Sequence, residues 1–210
     1  MPRVKIVESV GRSSRRRSAV AIRLRGYGLV QTGNRLCNRE RSRKVSEITS
    51  PRDLFLHELG DILYVEQKLA DEVLPKLIGE VTDDEFREGL EGHLRETRGH
   101  VENVKQVFAE LGETPKAEPC LGFEGLKKEH DKLKSETSRE LIDSVDLGAA
   151  ARTENYEIAA YEGLRRMAKG LGEDRAVELL DENLAEEKDA LRLVEKIATR
   201  VSKESAKALA

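Results

Sequence analysis

Tryptophan is absent, and phenylalanine and tyrosine occur only four times each. Charged residues make up 37% of the chain and hydrophobic residues 38%. That balance fits long solvated helices better than a β-rich fold. No apolar run approaches the roughly 18–20 residues of a membrane span, so no membrane partner is expected. The two cysteines, Cys37 and Cys120, lie far apart and form no CxxC pair. They argue against a disulfide framework and are compatible with a reducing cytoplasm. The shortage of thiolates also disfavours a structural zinc site.

Strong net charge is missing too, but the net value of −3 conceals an asymmetry. Residues 1–44 hold 13 basic side chains against Glu8 and Glu40, a net of +11. The remainder holds 24 basic and 38 acidic residues, a net of −14. Two stretches so opposite in charge are expected to be separate units. Residues 1–44 read as a basic extension, disordered or lying upstream of the true start, and 45–210 as the folded domain. The arginine-rich stretch also suits an arm for nucleic acid or anionic lipid, or a targeting peptide. Nucleic acid is expected as a partner only if residues 1–44 are made. A start at Val45, just before SEITSPRDLF, would exclude it.

Within 45–210 the apolar spacing predicts four long helices. The first spans about 51–78, capped by Ser50 with Pro51 in its first turn and a kink or local loosening at Pro75. The second spans about 83–111 and stops at Gly112. Pro115 and Pro119 predict an extended stretch, and GFEGLKKEHDKLKSE a short amphipathic helix. The third long helix spans about 138–169 and the fourth about 174–201, with SKESAKALA as a frayed tail. Two short turns imply two antiparallel hairpins, and the long middle connection lets one cross over the other. The expected class is therefore an all-α, ferritin-like four-helix bundle.

Each helix carries polar residues on its core-facing stripe. Glu66 interrupts Leu59, Ile62, Leu69 and Val73. His93, Thr97 and His100 interrupt Leu90, Val104, Val107 and Leu111. Glu154 and Glu157 interrupt Ala150, Tyr161 and Leu164. Glu187 interrupts Leu180, Leu184, Leu191 and Val194. A carboxylate in a dry core costs several kcal/mol unless something compensates it. Four glutamates carry −4, and two divalent cations would cancel that. Hard oxygen donors with imidazole suit iron or manganese, two divalent ions per chain if the site is complete.

The hairpins also repeat. Aligning residues 93–104 with 183–194 pairs Glu96 with Glu186, Thr97 with Glu187 and His100 with Ala190. Glu66 stands thirteen residues before Gly79, as Glu157 stands thirteen before Gly170. The second half-site thus lacks the counterpart of His100. Glu96 and His100, four apart, share a face of the second helix. The competing readings are ordinary ones. Glu96 alone suits a solvated helix edge, His93 a hydrogen-bonded core histidine, and Glu154 an outer carboxylate beside Glu157. Tyr64, Tyr156 and Tyr161 lie near the same level and suit core filling. His57 and His130 read as surface residues.

Four stretches carry a family resemblance: DLFLHELGDILYVEQKL (53–69), HLRETRGHVENVKQVF (93–108), ENYEIAAYEGL (154–164) and LAEEK (184–188). They resemble the YciF-like bacterial proteins, a ferritin-like family linked to stress responses. The resemblance implies a homodimeric helical bundle with a rubrerythrin-like metal centre. Its ligand pattern falls on Glu66, Glu96, His100, Glu154, Glu157 and Glu187. Asn155 stands where the family often has histidine, and Leu191 where it often has aspartate. Both departures remove a possible ligand. The expected function is a cytoplasmic stress-response protein whose iron or manganese acts on oxygen or peroxide. The rival is a non-catalytic helical dimer whose site is degenerate or empty.

Overall fold

The computed structural model describes residues 48–208, so the expectations for residues 1–44 lie outside the described residues. The order is α1 (Pro51–Lys68), a π-helical turn (Leu69–Val73), α2 (Leu74–Glu80), α3 (Asp84–Glu110), α4 (Leu121–Ser135), a 3₁₀ turn (Arg139–Leu141), α5 (Ile142–Leu171) and α6 (Asp174–Ala208). α1 and α3 form one hairpin and α5 and α6 the other, with α3 packed on α6 and α1 on α5. The crossover carries α4, which packs against α5. This is an all-α four-helix bundle. Among the described residues, no helix is long and apolar enough to cross a membrane.

Local chemistry sets the helix ends. Ser50 Oγ accepts from the Asp53 amide, and Asp53 Oδ2 accepts from the Ser50 amide, both at 3.0 Å. This reciprocal capping box starts α1. Asp83 Oδ1 accepts from the Phe86 amide at 2.9 Å to start α3. Gly112 and Gly172 take the left-handed conformation, at φ 71° and 78°, where α3 and α5 end.

Of the two effects expected of Pro75, a kink or a local loosening, the structure shows the loosening. The helix continues through it, but the preceding turn widens so that the Leu74 amide bonds to the Leu69 carbonyl. A proline lacks its own amide and crowds the carbonyl four residues back. The π turn absorbs both, one turn after Glu66. At the other end, α6 stays helical to Ala208, in place of the expected frayed tail. Ala206 and Ala208 are strong helix formers, and Arg200 pairs with Glu204 one turn on at 3.1 Å.

Two of the contacts that pin the crossover involve Gly60 and Asp146. The Glu118 amide donates to the Gly60 carbonyl at 2.9 Å. A Cβ at Gly60 would stand 2.7 Å from the Lys116 carbonyl oxygen, so only glycine lets the extended segment lie on α1. Further along, Asp146 of α5 is fully buried. It accepts from His130 Nε2 at 2.7 Å and from Lys134 Nζ at 2.9 Å, both on α4. Burial pushes the Asp146 carboxyl up, but His130 and Lys134 outweigh it and hold it below its ordinary value. His130, expected on the surface, is therefore a largely covered strut between α4 and α5.

Candidate metal centre

The polar residues of the four stripes meet at one level of the bundle. α1 brings Glu66, α3 brings His93 and His100 two turns apart, α5 brings Glu154 and Glu157, and α6 brings Glu187. Glu66, His100, Glu157 and Glu187 are fully buried, while His93 and Glu154 are 7% and 4% exposed.

Their donor atoms fall into two groups, each fitting within 4.8 Å. One holds His93, Glu154, Glu157 and Glu187; the other holds Glu66, His100 and Glu187. Glu187 belongs to both and turns one oxygen to each. Its Oε1 is 2.9 Å from His100 Nδ1, and its Oε2 is 3.9 Å from His93 Nε2. Glu66 Oε1 lies 3.4 Å from His100 Nδ1, and Glu154 Oε1 lies 3.4 Å from His93 Nε2.

The far nitrogen of each imidazole faces a carboxylate nearer solvent. His93 Nδ1 is 3.5 Å from Glu96, and His100 Nε2 is 2.8 Å from Glu186. Glu96 and Glu186 are the two residues that the internal repeat pairs. Such outer carboxylates fix which ring nitrogen turns toward a metal. On the Glu66 side, Asn103 donates to Asn183, Asn183 donates to Tyr161 Oη at 2.9 Å, and Tyr161 donates to Glu66.

Do these residues fit a metal? Among the described residues, eight buried side-chain polar atoms lack a hydrogen-bond partner. They are Glu66 Oε2, His93 Nδ1, His100 Nδ1, Glu154 Oε2 and both oxygens of Glu157 and of Glu187. All eight belong to the six clustered residues. Buried polar atoms are otherwise almost always satisfied; His93 Nδ1 faces Glu96, and the other seven, gathered on five clustered side chains, call for a ligand. Four carboxylates and two imidazoles are a hard, anionic set that could hold a divalent metal ion.

Electrostatics agree. Burial, then the charges of Glu187, Glu66 and Glu154, drive the Glu157 carboxyl well above its ordinary range. Burial does the same to Glu154 and raises Glu66. Glu187 goes the other way: burial raises it, but His100, Glu154 and His93 together pull it below normal. Burial alone would lower the two histidines. The carboxylates beside them overcome it, raising His93 to about 9 and His100 to about 11. Without a metal the cluster thus holds extra protons, which a cation would displace.

Of the residues singled out in the sequence, Glu66, His100, Glu154, Glu157 and Glu187 come together. Glu154 stands within a donor group rather than one turn off it. Glu96 stands in neither group, because its side chain is 45% exposed and meets only the outer face of His93. His93 is the member that its ordinary reading hid. It supplies an imidazole to the half-site that lacks the counterpart of His100. The signal was its seven-residue spacing from His100 on one stripe. Of the three tyrosines only Tyr161 reaches the cluster. Tyr64 bonds Glu124 at 2.8 Å, and Tyr156 meets Cys120 at 2.9 Å and Asp61 at 3.2 Å, at the α4 end.

Comparison with known proteins agrees with this architecture. The chain is 35% identical over 138 residues to Protein YciF of Escherichia coli strain K12, covering 65% of this chain and 82% of that protein. The crystal structure of that organism's stress protein YciF superposes with a TM-score of 0.69 at 30% identity, over 74% of this chain and 98% of the other. YcfI of Rhodopseudomonas palustris, described as a putative structural protein, gives 0.69 at 38% identity, over 72% and 96%. A Xanthomonas campestris protein at 17% identity gives 0.62, over 76% and 98%, and shares the fold. Residues 50–207 match the family described as Domain of unknown function (DUF892), and the chain belongs to that family of YciF-like helical bundles.

Proposed function

We propose that this protein is a metal-binding bundle of the bacterial stress response that holds two divalent iron or manganese ions per chain. The supporting observation is the convergence of seven orphaned buried polar atoms on five clustered side chains. The stress role rests on the relative named as a stress protein. When bound, iron or manganese supplies redox chemistry toward oxygen or peroxide. The chain's own part is to hold, orient and shield. Glu187 presents one oxygen to each half-site. Glu96 and Glu186 set the histidine rings from outside. Tyr161 holds a proton at Glu66 Oε1, with Asn183 fixing its hydroxyl. The apolar layers of Leu59, Ile62, Leu164 and Leu180 keep water from the Glu66 side.

Elemental mass spectrometry on protein produced in iron- and manganese-replete medium tests this reading. The expected result is close to two ions per chain, lost in the Glu157→Ala/Glu187→Ala double variant. Background metal in both proteins would contradict it and favour the non-catalytic bundle.

A further inference from the structure

The two half-sites differ in access to solvent. Glu66, His100, Glu157 and Glu187 have none, whereas His93 and Glu154 are slightly open. Both of those line a cleft of about 460 Å³ between α3 and α6. His93 and Glu154 are its buried polar lining, and Glu154 Oε2 is a buried oxygen with no partner. Its walls are apolar, with Leu90, Val194 and Ile197 among them, and its outer lining carries Glu85, Glu88, Glu96 and Asp189 against the single cation Arg95. At Gly89 the helices close, with Leu193 of α6 within 3.1 Å of where a Cβ would stand, but Gly92 and Ala190 leave space between them. Ala190 is the residue that stands opposite His100 in the repeat, so the side chain missing from the half-site is also missing from the cleft. A second cavity reaches His93 and Glu154 from beneath Phe123 of α4, but it holds only about 60 Å³. That is room for a few waters at most.

We infer that the α3–α6 cleft is the port through which divalent cations, and small molecules that bind them, reach the centre, by way of His93 and Glu154. The inference rests on the metal reading above. The chain has traded a ligand at position 190 for access. The rim carboxylates attract a cation, and Glu154 and His93 are the first donors it meets. The Glu66–His100 half-site lies behind them.

The test plugs the cleft without touching a ligand. At Gly92 a Cβ meets nothing nearer than Arg95 at 3.8 Å, and leucine is the better helix former. Gly92→Leu and Ala190→Leu should therefore fold while filling the cleft from opposite walls. Gly99→Leu, on the solvent side of α3 with nothing within 4 Å, is the control. Stopped-flow uptake of Co(II) by the full-length, chelator-treated protein should slow by at least roughly tenfold in both plugged variants, because access then waits on local opening of the helices. Final occupancy should be unchanged, and Gly99→Leu should match wild type. Uptake at the wild-type rate in both plugged variants would overturn the port, as would equal slowing in the control. A second readout needs no metal. Diethylpyrocarbonate, mapped by mass spectrometry at one pH, should modify His93 several-fold more slowly in Gly92→Leu than in wild type, with Gly99→Leu matching wild type. Equal His93 modification in wild type and Gly92→Leu would also overturn it. If the wild type takes up no metal at all, the metal reading fails, and the histidine mapping still decides whether the cleft is open.

Discussion

Two isosteric substitutions, Glu157→Gln and Glu187→Gln, should separate what the cluster does for metal from what it does for the fold. Both side chains are fully buried, so each change removes a charge with almost no change in volume. In metal-free protein burial and three neighbouring carboxylates drive the Glu157 carboxyl well above its ordinary range. An amide there stands in for the acid form that this favours, and stability should move by no more than about 1 kcal/mol. Glu187 is the ionised member, facing both His93 and His100. Its amide leaves two buried imidazolium groups without their shared counter-charge. Breaking a buried pair from one side costs about 3–5 kcal/mol. The metal response divides differently. Two unit charges about 4 Å apart interact by roughly 4 kcal/mol at an effective dielectric near 20; a divalent ion doubles that and the carboxyl's proton release offsets part of it, so the loss is at least about a thousandfold in Kd. Glu157 serves one donor group and Glu187 serves both. Glu157→Gln should therefore weaken one ion by about that factor, and Glu187→Gln both. Urea unfolding in chelator reads the first quantity, and calorimetric titration with Mn(II) reads the second. A Glu187→Gln protein that keeps two tight sites would refute the reasoning. So would a Glu157→Gln protein as unstable without metal as Glu187→Gln.

Three further outcomes follow from the geometry. In chelated protein, His93 and His100 have folded-state pKa values of about 9 and about 11, above the ordinary imidazole value of about 6.5. Their stabilisation is complete below that ordinary value and is lost as pH rises through about 9 and then about 11. Glu66, Glu154 and Glu157 are raised as well and add in the same sense, so Tm should rise from pH 9 to pH 6. Metal affinity should fall over the same acidification as protons compete, and a chelated Tm that is flat or rises with pH would contradict this assignment. Glu96→Gln and Glu186→Gln should each lower metal affinity by about 10–100-fold with the stoichiometry retained. The check is competition against a calibrated chelator. Asp146→Ala removes the buried acceptor that His130 and Lys134 share and, because Lys134 keeps Glu80 at 2.8 Å, should cost about 1–3 kcal/mol in urea unfolding, with metal content per folded chain unchanged.

The bundle was legible because the apolar period runs unbroken through four segments, and Ser50, Asp83, Gly112 and Gly172 mark their ends. The π turn was not, since Pro75 announces only that the helix must adjust, and the adjustment falls on residues 69–73 before it. α6 outruns the expected stop because polarity alone does not end a helix rich in alanine and lysine. At the centre, Glu66, Glu157 and Glu187 stood out as carboxylates on apolar stripes. Glu96 shares a face with His100, but that spacing does not say which side of the stripe turns inward, and Glu96 falls on the solvent side. His93 was masked because a lone core histidine is ordinarily satisfied by the backbone. Its role becomes visible only when α5 brings Glu154 within 3.4 Å of it. His130 was hidden in the same way, because its partner Asp146 comes from another helix.

The central claim is that two cations share Glu187 inside this bundle. Crystals of the protein soaked in Mn(II), with an anomalous difference map phased on the protein, test it most directly. Two peaks should appear, one among Glu66, His100 and Glu187 and one among His93, Glu154, Glu157 and Glu187. A map with no peak at the cluster, or peaks confined to surface carboxylates, would contradict the account.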